Sequence, residues 1–275
     1  MFKYTPETIS YHNNLIQTYS FGDADKVIFS LPSYPHSGLS YIFFTQYYDP
    51  AKFRFITFDI PGWAGLSQNI FKGKEFDIDL IINIAIKVLE NYHVETFSLI
   101  GYSFGSAISV KLAKTLGNRI TSLVLVSPFI NSNLLTRNKE KTVINFAYKH
   151  KLGKLIKMYV LRKFKTYDLK TYPEQLIKLY YFFLKNADSK VLLDSIHWLF
   201  NANLEADLSA LKIIGEILIV NSKTETLYFR EQSRFIRTKL AAEDSLKISG
   251  NHEDFLLKPK SAIVKKVLEF LLYPN

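Results

Sequence analysis

The sequence predicts an α/β protein, a mostly parallel sheet with helices on both faces, interrupted late in the chain by an all-helical insertion. Three observations predict it. Short apolar runs rich in β-formers alternate with helix-like stretches through the first half of the chain. Glycine- and proline-bearing loops close those runs. The alternation then stops between Phe129 and Glu205 and resumes at Ile217–Val220. With 275 residues, 48% of them hydrophobic, the chain is long enough to bury one large core with an insertion in it.

Taken in order, Glu7–Ser20 alternates weakly and predicts one or two early strands. Val27–Leu31 is a compact apolar run, read as a buried strand, and Pro32-Ser33-Tyr34-Pro35-His36-Ser37-Gly38 is a loop by composition. A helix is expected around Ser40–Tyr48 and a strand at Phe53–Ile60, closed by Asp59, Pro61 and Gly62. Asp77–Tyr92 has helical periodicity, with Leu80, Ile81, Ile84, Ile86 and Leu89 on one broad side. Phe97–Ile100 predicts a strand and Ser106–Leu116 a helix, followed by a strand at Ser122–Val126. After the insertion come strands at Ile217–Val220 and Ser245–Ile248, then a final helix at Ala262–Leu272. No internal repeat or low-complexity tract interrupts this order.

Zero cysteines exclude disulfides, thiolate metal sites and a cysteine nucleophile, and fit a reducing compartment. Met1–Ser10 has no apolar core of a signal peptide, and no apolar run reaches the length of a membrane span. A soluble, cytoplasmic protein is expected, without an integral membrane segment. The net charge of +10 is concentrated: residues 129–205 carry 14 Lys and Arg against 6 Asp and Glu, or +8. Such a stretch admits three readings, a wall over an apolar pocket, a surface for anionic membrane, or a nucleic-acid patch. Lysine interleaved with Leu, Ile and Tyr at helical spacing favours a solvated face over a packed one, and no nucleic-acid-binding signature accompanies it, so no nucleic-acid partner is expected. Neither a metal-ligand constellation nor a cofactor fingerprint is present, and no metal or cofactor is expected.

The stretch with the clearest chemistry is Gly101-Tyr102-Ser103-Phe104-Gly105, between an apolar run and a helix. A G-x-S-x-G at a strand-to-helix junction makes a turn too tight for neighbouring side chains and lifts one serine hydroxyl above the sheet. The helix start beside it favours developing negative charge. A glycine-bounded turn with an idle serine has the same five residues, so the partners matter. A serine hydroxyl needs a base, and histidine has the suitable pKa. Of the six histidines, His252 alone lies in a glycine-marked loop between a late strand and the last helix; His36, in the first loop, is the nearest rival.

Four motifs in order carry a resemblance: Asp59-Ile60-Pro61-Gly62-Trp63-Ala64-Gly65-Leu66-Ser67, Gly101–Gly105, Asp207–Ile213 ahead of a strand, and Gly250-Asn251-His252 ahead of the last helix. Together they resemble the α/β-hydrolase family from Val27 to Leu272. The resemblance implies a core of residues 1–128 and 206–275 with a helical cap at 129–205. It further implies Ser103 as nucleophile, His252 as general base, and an oxyanion hole from the N–H groups of Tyr34 and Phe104. Ser33 and Tyr102 are then placed to touch substrate. Relatives acting as dehalogenases or epoxide hydrolases carry aspartate at the elbow and dienelactone hydrolases cysteine, so serine implies acyl transfer to water: a carboxylesterase, or its lactonase variant, acting on a small ester or lactone.

Two positions depart from the family's pattern. Pro32-Ser33 stands where relatives read His-Gly, and Thr224 stands where they carry the acid, with Glu225 one residue on. Glu225 is either the triad acid or an ordinary loop charge. A C–C bond hydrolase, and an impaired hydrolase-fold binding protein motivated by these departures, stand as alternatives to the esterase.

Overall fold

The computed structural model describes residues 4–41, 49–63, 66–134, 139–165, 174–224, 227–240, 245–248, 255 and 262–273. Among these residues one sheet holds eight strands: β1 (Thr5–Tyr11), β2 (Asn14–Phe21), β3 (Val27–Leu31), β4 (Arg54–Phe58), β5 (Phe97–Tyr102), β6 (Ile120–Val126), β7 (Glu216–Ser222) and β8 (Ser245–Ile248). Their spatial order is β1-β2-β4-β3-β5-β6-β7-β8. The β1–β2 and β2–β4 pairs are antiparallel, and the pairs from β4 to β8 are parallel. β3 and β5 are buried along their whole length, which is why both read as unbroken apolar runs rather than alternating ones. Edge strand β1 buries Ile9 alone among its seven residues.

Nine helices are described: α1 (Ile78–Asn91), α2 (Phe104–Leu116), α3 (Lys139–Lys149), α4 (Gly153–Lys165), α5 (Glu174–Asn186), α6 (Ser189–Asn201), α7 (Glu205–Ser209), α8 (Leu227–Leu240) and α9 (Ala262–Leu272). The Asp77 carboxylate caps α1 by accepting from the Asp79 N–H at 2.9 Å. Its buried stripe is Ile78, Ile81, Ile82, Ala85, Val88 and Leu89 with Ile84, while Leu80 and Ile86 are half-buried flanks. The helix expected at Ser40–Tyr48 lies mostly outside the described residues; its start falls in a 3₁₀ turn over residues 38–41.

Helix α8 goes unread in the sequence for a physical reason. Its inward positions are Phe229, Gln232, Ser233 and Ile236, so half of the buried stripe is polar. Gln232 Oε1 accepts from the N–H groups of Ile130 (3.0 Å) and Asn131 (2.8 Å), and its Nε2 donates to Asn131 O (2.6 Å). Those bonds hold the chain where the insertion leaves the sheet. Nearby the two ends of the insertion meet, Ser132 N–H donating to Ala202 O (2.8 Å) and Leu204 N–H to Ile130 O (3.0 Å). Between them α3 and α4 pack on α6, and α5 on α4. Among the described residues no helix is long and apolar enough to cross a membrane.

Candidate functional site

β5 ends at Tyr102 and α2 begins at Phe104, so Ser103 alone makes the turn, with φ 53° and ψ −113°. A non-glycine residue held there stores on the order of 1–3 kcal/mol. The neighbourhood imposes the conformation. Ser103 N–H donates to Val126 O at 2.8 Å, Ser106 N–H donates to Ser103 O at 3.0 Å, and Ser106 Oγ donates to Gly101 O at 2.8 Å. A Cβ at Gly101 would lie 2.4 Å from Gly105 O, and one at Gly105 would lie 2.3 Å from Leu31 O, so the glycines are demanded by backbone approach. Ser103 itself is half-buried at the sheet's carboxyl edge.

Two N–H groups near this turn donate no hydrogen bond among the described residues. Phe104 is the first residue of α2 and has no acceptor within the helix. The second belongs to Tyr34, in the turn closed by His36 N–H donating to Ser33 O at 2.6 Å. The Tyr34 and Phe104 rings lie roughly parallel, 6.3 Å apart, which brings the β3 loop against the elbow. Burial pushes the Tyr34 hydroxyl pKa up, and that oxygen has no hydrogen-bond partner among the described residues. Ser33 is buried, and Tyr102 is 2% exposed with its ring 5.8 Å from Phe255.

Asp59, at the end of β4, secures the β3 loop. It is fully buried and accepts from Tyr19 Oη (2.7 Å), from the Ser37 hydroxyl, and from Gly38 N–H (2.9 Å). Desolvation raises its pKa to about 6, and the three donors hold it from going higher. Ser127 is a second unread feature. It follows β6 with φ 44°, donates its N–H to Val220 O at 2.7 Å, and buries a hydroxyl that finds no partner among the described residues.

The insertion reaches the elbow through aromatic rings. Phe104 contacts Trp63 (4.9 Å between centroids), Phe76 (6.2 Å) and Trp198 of α6 (5.6 Å). Trp63 Nε1 donates to Ser195 Oγ at 2.9 Å, and Asp188 N–H donates to Gly62 O at 2.8 Å. A cavity of about 270 Å³ opens between α6, α3 and the segment before α1, lined by Glu75, Phe76, Tyr148, Asp194, His197 and Trp198 among others. Desolvation lowers the His197 pKa, and its ring stacks on Tyr148 at 3.6 Å. Ser103 is not in that lining; cavity and elbow are separate features that share the Phe76 and Trp198 contacts to Phe104.

Of the residues singled out in the sequence, Ser103, Phe104, Tyr34 and Ser33 come together at this edge. His252 and Glu225 lie outside the described residues. The strands leading to them end on the same edge, since Tyr102, Val126, Val220 and Leu246 form one register row across β5, β6, β7 and β8. Among the described residues no group of three His, Cys, Asp or Glu is arranged to hold a metal.

Comparison with known proteins agrees with this architecture. The solved structure of a bromoperoxidase from Bacillus anthracis superposes with a TM-score of 0.74 at 16% identity, covering 97% of this chain and 99% of that one. An esterase from Exiguobacterium antarcticum gives 0.73 at 15%, covering 94% and 96%. The enol-lactonase from Burkholderia xenovorans LB400 gives 0.72 at 15%, covering 97% and 100%. At these identities the likeness is one of fold. No curated protein matches the sequence. A family model described as alpha/beta hydrolase fold matches residues 26–259, most of the chain, and the protein belongs to that family.

Proposed function

We propose that this protein is a serine hydrolase that cleaves carboxylic esters, lactones included, through an acyl-enzyme on Ser103. The observation that carries the reading is the strained backbone of Ser103 (φ 53°) between two glycines that no larger residue can replace. Strain of this kind persists where a side chain must be presented.

In this reading Ser103 Oγ attacks the carbonyl carbon while His252 takes its proton. The oxyanion accepts from the N–H groups of Phe104 and Tyr34. Collapse of the intermediate breaks the ester C–O bond, and His252 returns the proton to the leaving alcohol. Water then repeats the sequence on the acyl-enzyme and frees the acid. The Glu225 carboxylate orients the imidazole and stabilises the imidazolium that forms when it takes the serine proton. Chain length supports these partners: β7 and β8 stand two and three strand spacings from β5, about 10 and 14 Å. Ser222 to Glu225 spans up to ~10 Å and Ile248 to His252 up to ~13 Å when extended, before side-chain reach is added.

Residues 129–205 act as a cap on a core of residues 1–128 and 206–275. The Trp63–Ser195 bond and the Phe104–Trp198 contact support this, because they tie α6 directly to the loops around the elbow. Two similar folds bear the titles of an esterase and an enol-lactonase, which agrees with acyl chemistry.

Incubation with a fluorophosphonate and peptide mapping, alongside hydrolysis of a p-nitrophenyl ester, tests the proposal. Stoichiometric label on Ser103 with turnover supports it. Ester binding without turnover would instead favour a hydrolase-fold binding protein, as the Pro32-Ser33 and Thr224 departures suggest.

A further inference from the structure

The basic insertion does not present the simple solvated face that its sequence suggests. Helix α4 packs inward through Val160 and Leu161, and Lys157 also turns inward, donating to Lys185 O at 2.8 Å and to Ala187 O. Its outer face is made of Lys154, Leu155, Met158, Tyr159 and Arg162, all exposed, with Lys151 just before the helix. Leu155, Met158 and Tyr159 are 55%, 47% and 70% exposed at i, i+3 and i+4 spacing, so they form one apolar strip. Val143 and Phe146 on α3 and Phe182 on α5 are more than half exposed. Six of the eleven exposed large hydrophobic residues among those described thus lie in this one insertion. From Lys149 to Lys165 the chain has seven Lys or Arg and no Asp or Glu.

We propose that the outer face of α4 docks the protein peripherally onto an anionic lipid surface. Each half of the face needs that partner. Leu155 and Met158 gain by leaving water for the acyl boundary, Tyr159 suits the interface with its ring apolar and its hydroxyl wet, and the flanking cations meet lipid phosphates. A nucleic acid would satisfy the cations but leave the leucine and methionine in water. A neutral protein groove would satisfy the apolar strip but leave the unbalanced charge without purpose. The face is independent of the chemistry at Ser103, so it stands or falls separately.

The absence of cysteine makes the test direct. Met158→Cys, labelled with an environment-sensitive fluorophore in the full-length protein, is titrated with vesicles of phosphatidylcholine alone or mixed with phosphatidylglycerol. Glu90→Cys on α1, exposed and outside the insertion, carries the same label as the control. A blue-shifted, brighter signal at position 158 with anionic vesicles, weakened by salt and missing at position 90, is the expected result. In sedimentation of unlabelled protein, the double variant Leu155→Gln/Met158→Gln binds roughly tenfold or more weakly than the parent while keeping its circular dichroism melt. The proposal is overturned by equal signals at positions 158 and 90, by vesicle binding that ignores Leu155→Gln/Met158→Gln, or by a salt-sensitive RNA shift in the absence of any vesicle binding.

Discussion

A Cβ on residue 105 would come 2.3 Å from the carbonyl oxygen of Leu31, so α2 starts directly on top of the end of β3. The contact places the elbow beside the loop that holds Tyr34. It also means that Gly105 is fixed by backbone, which does not yield as a flexible side chain would.

Gly105→Ala is expected to destabilise the protein by several kcal/mol and to abolish ester hydrolysis, since either α2 or β3 must shift to admit the methyl group. Denaturant melts and soluble yield measure the effect. A variant with wild-type stability and turnover would show that the backbone approach is looser than described.

Asp59 gives a pH-dependent contribution. Its folded pKa, raised by burial to about 6 from an ordinary 3.8, means that the native state binds the proton more tightly than the unfolded chain. The associated stability is therefore fully present below about pH 4 and lost as pH rises through 6, by about 3 kcal/mol for a shift of this size. Asp59→Asn, which has no such proton to lose, is expected to gain on wild type across that window. Parallel stability curves for the two proteins from pH 4 to 7 would remove this account of Asp59.

Ser195→Ala leaves the buried Trp63 Nε1–H without its acceptor, at a cost of about 1–3 kcal/mol. Because that bond ties α6 to the loop beside the elbow, KM for a bulky ester is expected to rise more than kcat falls. Steady-state kinetics with short and long acyl chains check the split; an unchanged KM for both would separate the insertion from substrate binding.

Glu225→Gln is expected to lower kcat by about 10²- to 10⁴-fold with the fold intact. Thr224→Asp in that background returns part of the activity, by supplying a carboxylate one residue earlier. Wild-type kinetics for Glu225→Gln across neutral pH would assign the orientation of His252 to another group.

Much of the fold was legible because the physics is local. β3, β8 and α9 run where the apolar pattern placed them, and the G-x-S-x-G run sits at the strand-to-helix turn its glycines require. What was not legible depends on partners distant in sequence. α8 hid because Gln232 and Ser233 occupy buried positions to serve Asn131 and Asn221. Asp59 read only as the close of a strand because its donors come from Tyr19, Ser37 and Gly38 on other elements. The exposed strip on α4 hid for the opposite reason: leucine and methionine at helical spacing promise burial, and only packing shows which face is turned away. Thr224, the residue in the acid's place, is exposed with its hydroxyl 3.3 Å from that of Ser222.

The role of Ser103 is measured by kcat/KM for p-nitrophenyl ester hydrolysis by Ser103→Ala beside wild type, with a melt to confirm that the variant is folded. The side chain is half-buried at a turn held by the backbone N–H and C=O of Ser103 and by the Ser106 hydroxyl, so the fold is expected to survive. Loss of the nucleophile is expected to remove on the order of 10⁵- to 10⁶-fold of the rate. A folded Ser103→Ala protein retaining more than about a tenth of wild-type turnover would contradict the assignment of Ser103 as nucleophile.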